Sequence, residues 1–233
     1  MKKYDWDNYL SFITEVPINP STLAFFSALP CARPYLNPSS SPSSPPLPLY
    51  QPIPFLSRYD KHDNTTDTFF SHAMNTDNTI PRLLSLLRRD ILSPTPENVA
   101  QQQQAQTPPS DPNNPPSSSP PDQIVFVQLG TGLNGFTDTV HGGVLASLVD
   151  EALSTCVEAF RQQLAGEDRA KLYTANLNVS YRAPVMSPGV VVVKTWLRRR
   201  EGRKWFMEAE VAGEDGEVKT VVKALWISER PKL

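Results

Sequence analysis

The chain has 233 residues, with 22 basic and 24 acidic side chains and a formal net charge of −2. This balance argues against a dedicated nucleic-acid-binding protein, and two cysteines are too few for a disulfide framework or a four-cysteine zinc site. No stretch approaches the roughly 20 apolar residues of a membrane span. We therefore expect a soluble intracellular protein that uses no metal and no other cofactor.

Proline and glycine divide the chain near residue 123, because 21 of the 24 prolines precede it and all ten glycines follow it. The Pro/Ser-rich tract 37–54 and the Pro/Gln-rich tract 94–121 bury too little apolar surface to offset the entropy of ordering them. Both tracts are predicted to be extended or disordered. We predict an N-terminal extension over residues 1–122 and one compact domain over residues 123–233.

Two short pieces of the extension show helical spacing of apolar residues. Residues 5–16 carry Trp6, Tyr9 and Ile13 on one face, and residues 79–92 repeat leucine and isoleucine after Pro81, which a first helical turn accepts. We interpret both as helices that lie on the surface of the second half. A lid or a partner-binding element is the alternative.

The second half reads as one strand, one helix and four more strands. A short apolar strand over 124–129 leads through a glycine-rich loop into a helical pattern over 143–164. Four runs with alternating apolar residues follow, at 172–182, 190–199, 204–212 and 217–227, separated by short turns that favour antiparallel hairpins. The predicted fold class is α+β, with the helix across one face of an antiparallel sheet.

The predicted helix carries two adjacent carboxylates in different positions. Asp150 lies about 100° from the centre of the apolar stripe, at its edge and among small residues, whereas Glu151 lies about 150° away on the far side. Asp150 therefore suits a base or nucleophile at the rim of a buried face, and an ordinary solvated aspartate is the alternative. His141-Gly142-Gly143 precedes the helix, where unpaired N–H groups can stabilise an oxyanion.

Two segments in this order, His141–Asp150 and Leu177–Pro184, resemble the hotdog-fold acyl-CoA thioesterases. The likeness is to the branch of the phenylacetate-pathway type, including fungal members with Pro-rich leaders. It implies a sheet wrapped around one long helix and an active site formed between two subunits. A homodimer or a dimer of dimers is therefore expected.

The resemblance also implies roles for individual residues. Asp150 would activate water or attack the thioester carbon, the backbone N–H of Gly142 would bind the thioester oxygen, and Thr174 would position water. His141, Gly143 and Asn134 would hold the substrate. Strict alternation along the strand turns Thr174 away from the face of Leu177, so its role requires a β-bulge or a strand end there.

The expected function is hydrolysis of an acyl-CoA, or of a fatty acyl or polyketide thioester on a carrier protein. The alternative is a non-catalytic hotdog module that binds acyl groups or a protein partner, and Asp150 with Gly142 favours the enzyme. A hydratase or dehydratase on the same fold would need a His-containing acid/base pair that the sequence lacks. The basic hairpin residues Arg198–Arg200, Arg203 and Lys204 would either bind coenzyme A phosphates or be solvated.

The C-terminus leaves two locations open. Pro231-Lys232-Leu233 resembles the peroxisomal Ser-Lys-Leu address, with proline where a small residue is usual. Cytoplasm is the favoured location, and the peroxisome is the alternative.

Overall fold

The computed structural model describes residues 8–36, 49–61, 65–93, 119–165 and 171–230. The disorder predicted for the Pro-rich tracts falls mostly on 37–48 and 94–118, outside the described residues. The first residues of the predicted helix 5–16 and the C-terminal Pro-Lys-Leu also lie outside them.

One antiparallel sheet of seven strands forms the centre of the protein, in the order β1-β2-β3-β7-β8-β9-β6. A separate two-stranded ribbon, β4–β5, precedes the long helix. The strands are β1 Tyr50–Ile53, β2 Leu83–Arg88, β3 Gln123–Leu129, β4 Asn134–Phe136, β5 Thr139–Val140, β6 Leu172–Tyr181, β7 Gly189–Glu201, β8 Lys204–Gly213 and β9 Val218–Ser228. The five strands predicted for the second half are thus confirmed, and two strands from the extension widen the sheet.

Five α-helices accompany the sheet in the described residues: α1 Tyr9–Glu15, α2 Pro20–Ser27, α3 Arg33–Leu36, α4 Arg89–Leu92 and α5 Gly142–Ala165. The 24-residue α5 is the predicted long helix. Its apolar stripe, which includes Leu145, Leu148 and Cys156, packs on the sheet residues Val193, Met207 and Val222 in one buried cluster. A sheet wrapped around one long helix is the hotdog arrangement that the sequence predicts.

The helix predicted for residues 79–92 is wrong, because 83–88 form β2 and only 89–92 make a helical turn. β2 pairs with β1 on one side and with β3 on the other. Leu84 and Leu86 pack on one face of the sheet, and Leu87 packs on the face toward α5. A strand buried on both faces reads as a near-continuous apolar run, in which helical spacing appears by coincidence.

The extension packs on both faces of the second half. On the inner side, α1 buries Tyr9, Phe12 and Ile13, and the backbone N–H of Leu10 donates to Gln162 Oε1 of α5 at 3.1 Å. On the outer side, α2 places Phe26 against Phe126 of β3, with ring centroids 5.7 Å apart. The prediction that the first helix lies on the second half is confirmed, whereas the domain boundary at 122/123 stays a prediction.

Candidate active site

Asp150 and Thr174 meet in the structure, although they lie on different elements. Asp150 sits in the third turn of α5, and Thr174 is near the start of β6, the strand at one end of the sheet. The Thr174 hydroxyl donates to Asp150, with Oγ1 3.0 Å from Oδ1 and 3.2 Å from Oδ2. A carboxylate with an adjacent hydroxyl can hold a water molecule and accept its proton.

A β-bulge turns Thr174 toward the helix. Thr174 pairs with Trp226 of β9 and Asn176 pairs with Leu225, so two steps along β6 match one step along β9. Ala175 is the extra residue of this bulge. The bulge that Thr174 required is therefore present, and it puts Thr174 on the side of the core residues Trp226 and Leu172.

Burial and hydrogen bonding act on Asp150 in opposite directions. Burial against the sheet disfavours the carboxylate and raises the pKa of Asp150 above its ordinary value, while the hydrogen bond from Thr174 lowers it. The burial effect is the larger one. A raised pKa makes the carboxylate a stronger base than a solvated aspartate.

The start of α5 leaves one N–H group available. The Gly143 N–H donates to His141 Nδ1 at 3.0 Å, and the Val144 and Leu145 N–H groups donate to the His141 carbonyl at 3.0 and 3.3 Å. Among the described residues, the Gly142 N–H is the member of this first turn with no acceptor. It carries the positive end of the helix dipole, as an oxyanion donor requires.

Tyr181 supports this turn from the far end of β6. Its hydroxyl donates to the Gly142 carbonyl oxygen at 2.7 Å. A Cβ on residue 142 would come within 3.3 Å of the Tyr181 ring, so glycine permits the close approach. The sequence alone indicates no role for Tyr181, because its distance from Gly142 in the chain conceals the contact.

Asn134 lies in the ribbon that leads into the same turn, where it pairs with Val140 across β4 and β5. Ser187 Oγ donates to Asn134 Oδ1, so the amide Nδ2 is the side-chain group that remains for a substrate. The structure thus gathers Asn134, His141, Gly142 and Gly143 at the start of the helix.

These residues are separated from the Asp150 carboxylate within one chain. Asp150 follows Gly142 by eight residues, which at the α-helical rise amounts to about 12 Å along the axis. One carbonyl group cannot contact both the Gly142 N–H and the Asp150 carboxylate of the same protomer. The two groups therefore lie at separate positions of the chain.

Glu151 lies on the face of α5 away from the apolar stripe, as the spacing predicts, and the N-terminal extension covers that face. Glu151 is half-buried, its carboxylate accepts a hydrogen bond from Ser57 Oγ of the extension, and it lines a cavity of about 470 Å³ beside α1. Burial raises the pKa of Glu151 to about 7, against the lowering effect of the Ser57 hydrogen bond. Helical spacing places a residue relative to the apolar stripe only, and the extension covers the opposite face of α5.

The basic residues of the β7–β8 hairpin largely have partners within the chain. Arg198 pairs with Glu208 at 2.7 Å and Arg199 with Glu201 at 2.8 Å. The Arg200 guanidinium lies 4.4 Å from the centroid of the Trp205 ring. These contacts favour the interpretation of a solvated, internally paired hairpin over a phosphate site.

Among the helices of the described residues, none is long and apolar enough to cross a membrane.

Comparisons with known proteins identify similar proteins for part of the chain. Residues 137–220 match the model of the thioesterase superfamily. The chain is 35% identical over 106 residues to the acyl-coenzyme A thioesterase THEM4 of Mus musculus, which covers 45% of this chain and 42% of that protein. It is 33% identical over 96 residues to the uncharacterized mitochondrial membrane protein FMP10 of Saccharomyces cerevisiae, covering 41% of this chain and 37% of that protein.

Solved structures are similar over a comparable share of the chain. The Escherichia coli PaaI protein of the phenylacetic acid degradation operon matches with a TM-score of 0.41 and 11% identity, covering 46% of this chain and 72% of that one. The BH2602 protein of Bacillus halodurans with CoA matches with a TM-score of 0.40 and 24% identity, covering 46% of this chain and 66% of that one. The chain spans less than half the length of the curated relatives given above. The family match thus covers the region of α5 and the strands that follow it, residues 137–220.

Proposed function

We propose that this protein hydrolyses an acyl thioester of coenzyme A, or of a carrier protein, to the free acid and the thiol. The observation that carries the proposal is the Asp150 carboxylate held by the Thr174 hydroxyl at 3.0 Å on the rim of the core. The similarity of residues 137–220 to acyl-CoA thioesterases supports the same reaction class.

The chemistry follows from the Asp150–Thr174 pair and the Gly142 N–H. Water bound between Asp150 and Thr174 transfers a proton to the carboxylate while its oxygen attacks the carbonyl carbon. The negative charge that develops on the carbonyl oxygen is stabilised by the Gly142 N–H. The C–S bond then breaks, and the thiolate takes up the proton held by Asp150. Direct attack by the carboxylate, followed by hydrolysis of the anhydride, uses the same residues.

The proposed active site needs two copies of the chain, because Gly142 and Asp150 lie about 12 Å apart along one helix. β6 ends the sheet, and most of its residues are exposed. An unpaired strand edge is a template for a second strand, so we propose that β6 pairs with its twin across a two-fold axis. Each carboxylate would then face the helix start of the partner subunit, in a homodimer or a dimer of dimers.

Sedimentation tests this assembly directly. We expect a dimer or tetramer at micromolar concentration. A chain that sediments only as a monomer yet hydrolyses thioesters would contradict the shared site.

Thiol release from a panel of acyl-CoAs and acyl carrier proteins tests the reaction. We expect Asp150→Asn to lower the rate by at least ~10²-fold, the loss typical of a positioned acid/base group. Glu151→Gln is the matched control, because this neighbouring carboxylate is bound by Ser57 rather than by Thr174. His141→Ala should fall between the two through a distorted first turn.

Two outcomes of this assay would favour other functions. Binding of acyl-CoA without thiol release by the wild type would favour the non-catalytic acyl-binding module. Addition of water to an enoyl-CoA would favour a hydratase.

For location, we propose the cytoplasm, with the peroxisome as the alternative that the C-terminal Pro-Lys-Leu keeps open. The yeast relative is described as a mitochondrial membrane protein, a statement about that protein. Imaging with a tag placed internally, so that both ends of the chain stay free, distinguishes these compartments.

A further inference from the structure

A second cavity lies away from the Asp150–Thr174 pair, between α2, the segment 53–59 and the start of β2. Its volume is about 260 Å³. Its lining includes two arginines, Arg58 and Arg82, together with the polar side chains of Asn19, Thr22 and Asn75. None of the residues that line it is an aspartate or a glutamate. The cavity thus combines cationic and neutral polar groups without an acidic group.

Arg58 is half-buried and lacks a counter-ion among the described residues. Its Nη1 donates to the carbonyl oxygens of Met74 at 3.2 Å and Ile80 at 2.8 Å, both neutral acceptors. Burial lowers the pKa of Arg58 to about 10, and only Tyr59 acts in the opposite direction. Nη2 and Nε have no acceptor in the described part of the chain, so their N–H groups can donate to a ligand.

Arg82 is also held by neutral groups. Its Nη1 donates to Gln128 Oε1 at 2.8 Å, and its guanidinium lies 4.8 Å from the centroid of the Phe25 ring. Two other arginines with buried or half-buried side chains have a carboxylate partner, since Arg88 binds Asp122 and Arg161 binds Glu158, each at 2.7 Å.

The N-terminus of α2 adds a third positive contribution. Asn19 caps this eight-residue helix by accepting from the Ser21 and Thr22 N–H groups. Asn19 and Thr22 both line the cavity, so the positive end of the helix dipole lies at its wall. Buried or half-buried charges are normally neutralised by a partner, and here the chain supplies none from the residues described.

We propose that this cavity binds a phosphoryl group between the Arg58 and Arg82 guanidinium groups. Arginine presents paired N–H donors that match phosphate oxygens, and a ligand anion would supply the missing counter-charge. The volume accommodates a phosphate with a small attached group. This inference does not depend on thioester hydrolysis.

Calorimetric titration of the purified full chain with inorganic phosphate, at constant ionic strength, tests the proposal. Two charge-assisted contacts predict a dissociation constant of about 1 mM or lower. At a tenfold excess over that constant, the melting temperature should rise by about 3–6 °C.

Variants assign the binding to the two arginines. Arg82→Gln should weaken phosphate binding by at least about tenfold, since it removes one charge-assisted contact. Arg58→Lys keeps a positive charge beside the carbonyl oxygens of Met74 and Ile80 but lacks the paired N–H donors of the guanidinium group. It should therefore also weaken phosphate binding. Arg33→Gln, on the exposed face of α3, removes the same net charge and should leave binding unchanged. Thiol release at saturating acyl-CoA, measured on the same samples, should be unaffected by Arg82→Gln, which shows that this variant is folded.

Three results would overturn the proposal: no binding by the wild type at ten times the expected constant, equal binding by Arg82→Gln and the wild type, or acetate binding as tight as phosphate. A competition experiment identifies the source of the phosphoryl group. Displacement of phosphate by coenzyme A supports a site for the phosphates of that molecule, and lack of displacement supports a site for a free phosphate or a small phosphate ester.

Discussion

Replacing Thr174 by valine should shift the pH dependence of hydrolysis, because the Thr174 hydroxyl stabilises the charged form of Asp150. Oγ1 lies 3.0 and 3.2 Å from the two carboxylate oxygens, and this hydrogen bond lowers the pKa of Asp150. Thr174→Val keeps the shape and removes the donor. The pKa of Asp150 should therefore rise.

The magnitude follows from the hydrogen bond. A hydrogen bond to a charged group contributes about 1.5–3 kcal/mol, equivalent to roughly 1–2 pKa units. Thr174 is exposed in the single chain, so solvent screening favours the lower end of that range. Since Asp150 must be ionised to act as base or nucleophile, activity is present above its pKa and lost as the pH falls through it. The acid limb of kcat/KM should move up by about one unit in Thr174→Val.

The assay is thiol release measured as kcat/KM across the acid limb, with dimer content checked for each variant. Thr174→Ser is the matched control, because it retains the hydroxyl and should keep the limb near that of the wild type. An acid limb that stays in place in Thr174→Val would show that Thr174 does not act on Asp150. An equal shift in Thr174→Ser would assign the effect to packing instead of the hydrogen bond.

Three further predictions concern stability. Burial raises the pKa of Glu151 to about 7, so the folded state favours the protonated carboxyl group. The contribution of this group to the free energy of unfolding is therefore complete below the ordinary pKa of 4.5 and is lost as the pH rises through 7. At pH 8 the free energy of unfolding of Glu151→Gln should therefore exceed that of the wild type by on the order of 2–3 kcal/mol. A lower free energy of unfolding for the variant at pH 8 would contradict this. Arg88→Leu leaves the buried Asp122 without its ion-pair partner and should lower the free energy of unfolding by about 3–5 kcal/mol, whereas no loss in urea titration would mean that β2 is not docked on β3. Phe12→Ala opens a cavity where α1 meets the core and should lower that free energy by about 3–5 kcal/mol, while the exposed Phe69→Ala should change it little.

Sequence alone determined the features that depend on local periodicity. The alternation in β6, β7, β8 and β9 and the apolar stripe of α5 each require only neighbours along the chain, and both predictions are confirmed. The His-Gly-Gly start of the helix is local only in part, since the N–H bonds to His141 join residues at most four apart, whereas the bond from Tyr181 to Gly142 spans 39 residues. The position of Asp150 at the edge of the stripe follows from the same helical geometry.

Tertiary structure decided the contacts between distant segments. The Asp150–Thr174 pair depends on the bulge at Ala175, which is set by the register of β6 on β9 rather than by any pattern within β6. The burial of Glu151 depends on Ser57, which lies 94 residues earlier in the chain. β2 resembled a helix in sequence because burial on both faces removes the alternation that identifies a strand. In each case the deciding partner is remote in sequence, and an isolated segment carries no information about which surface will cover it.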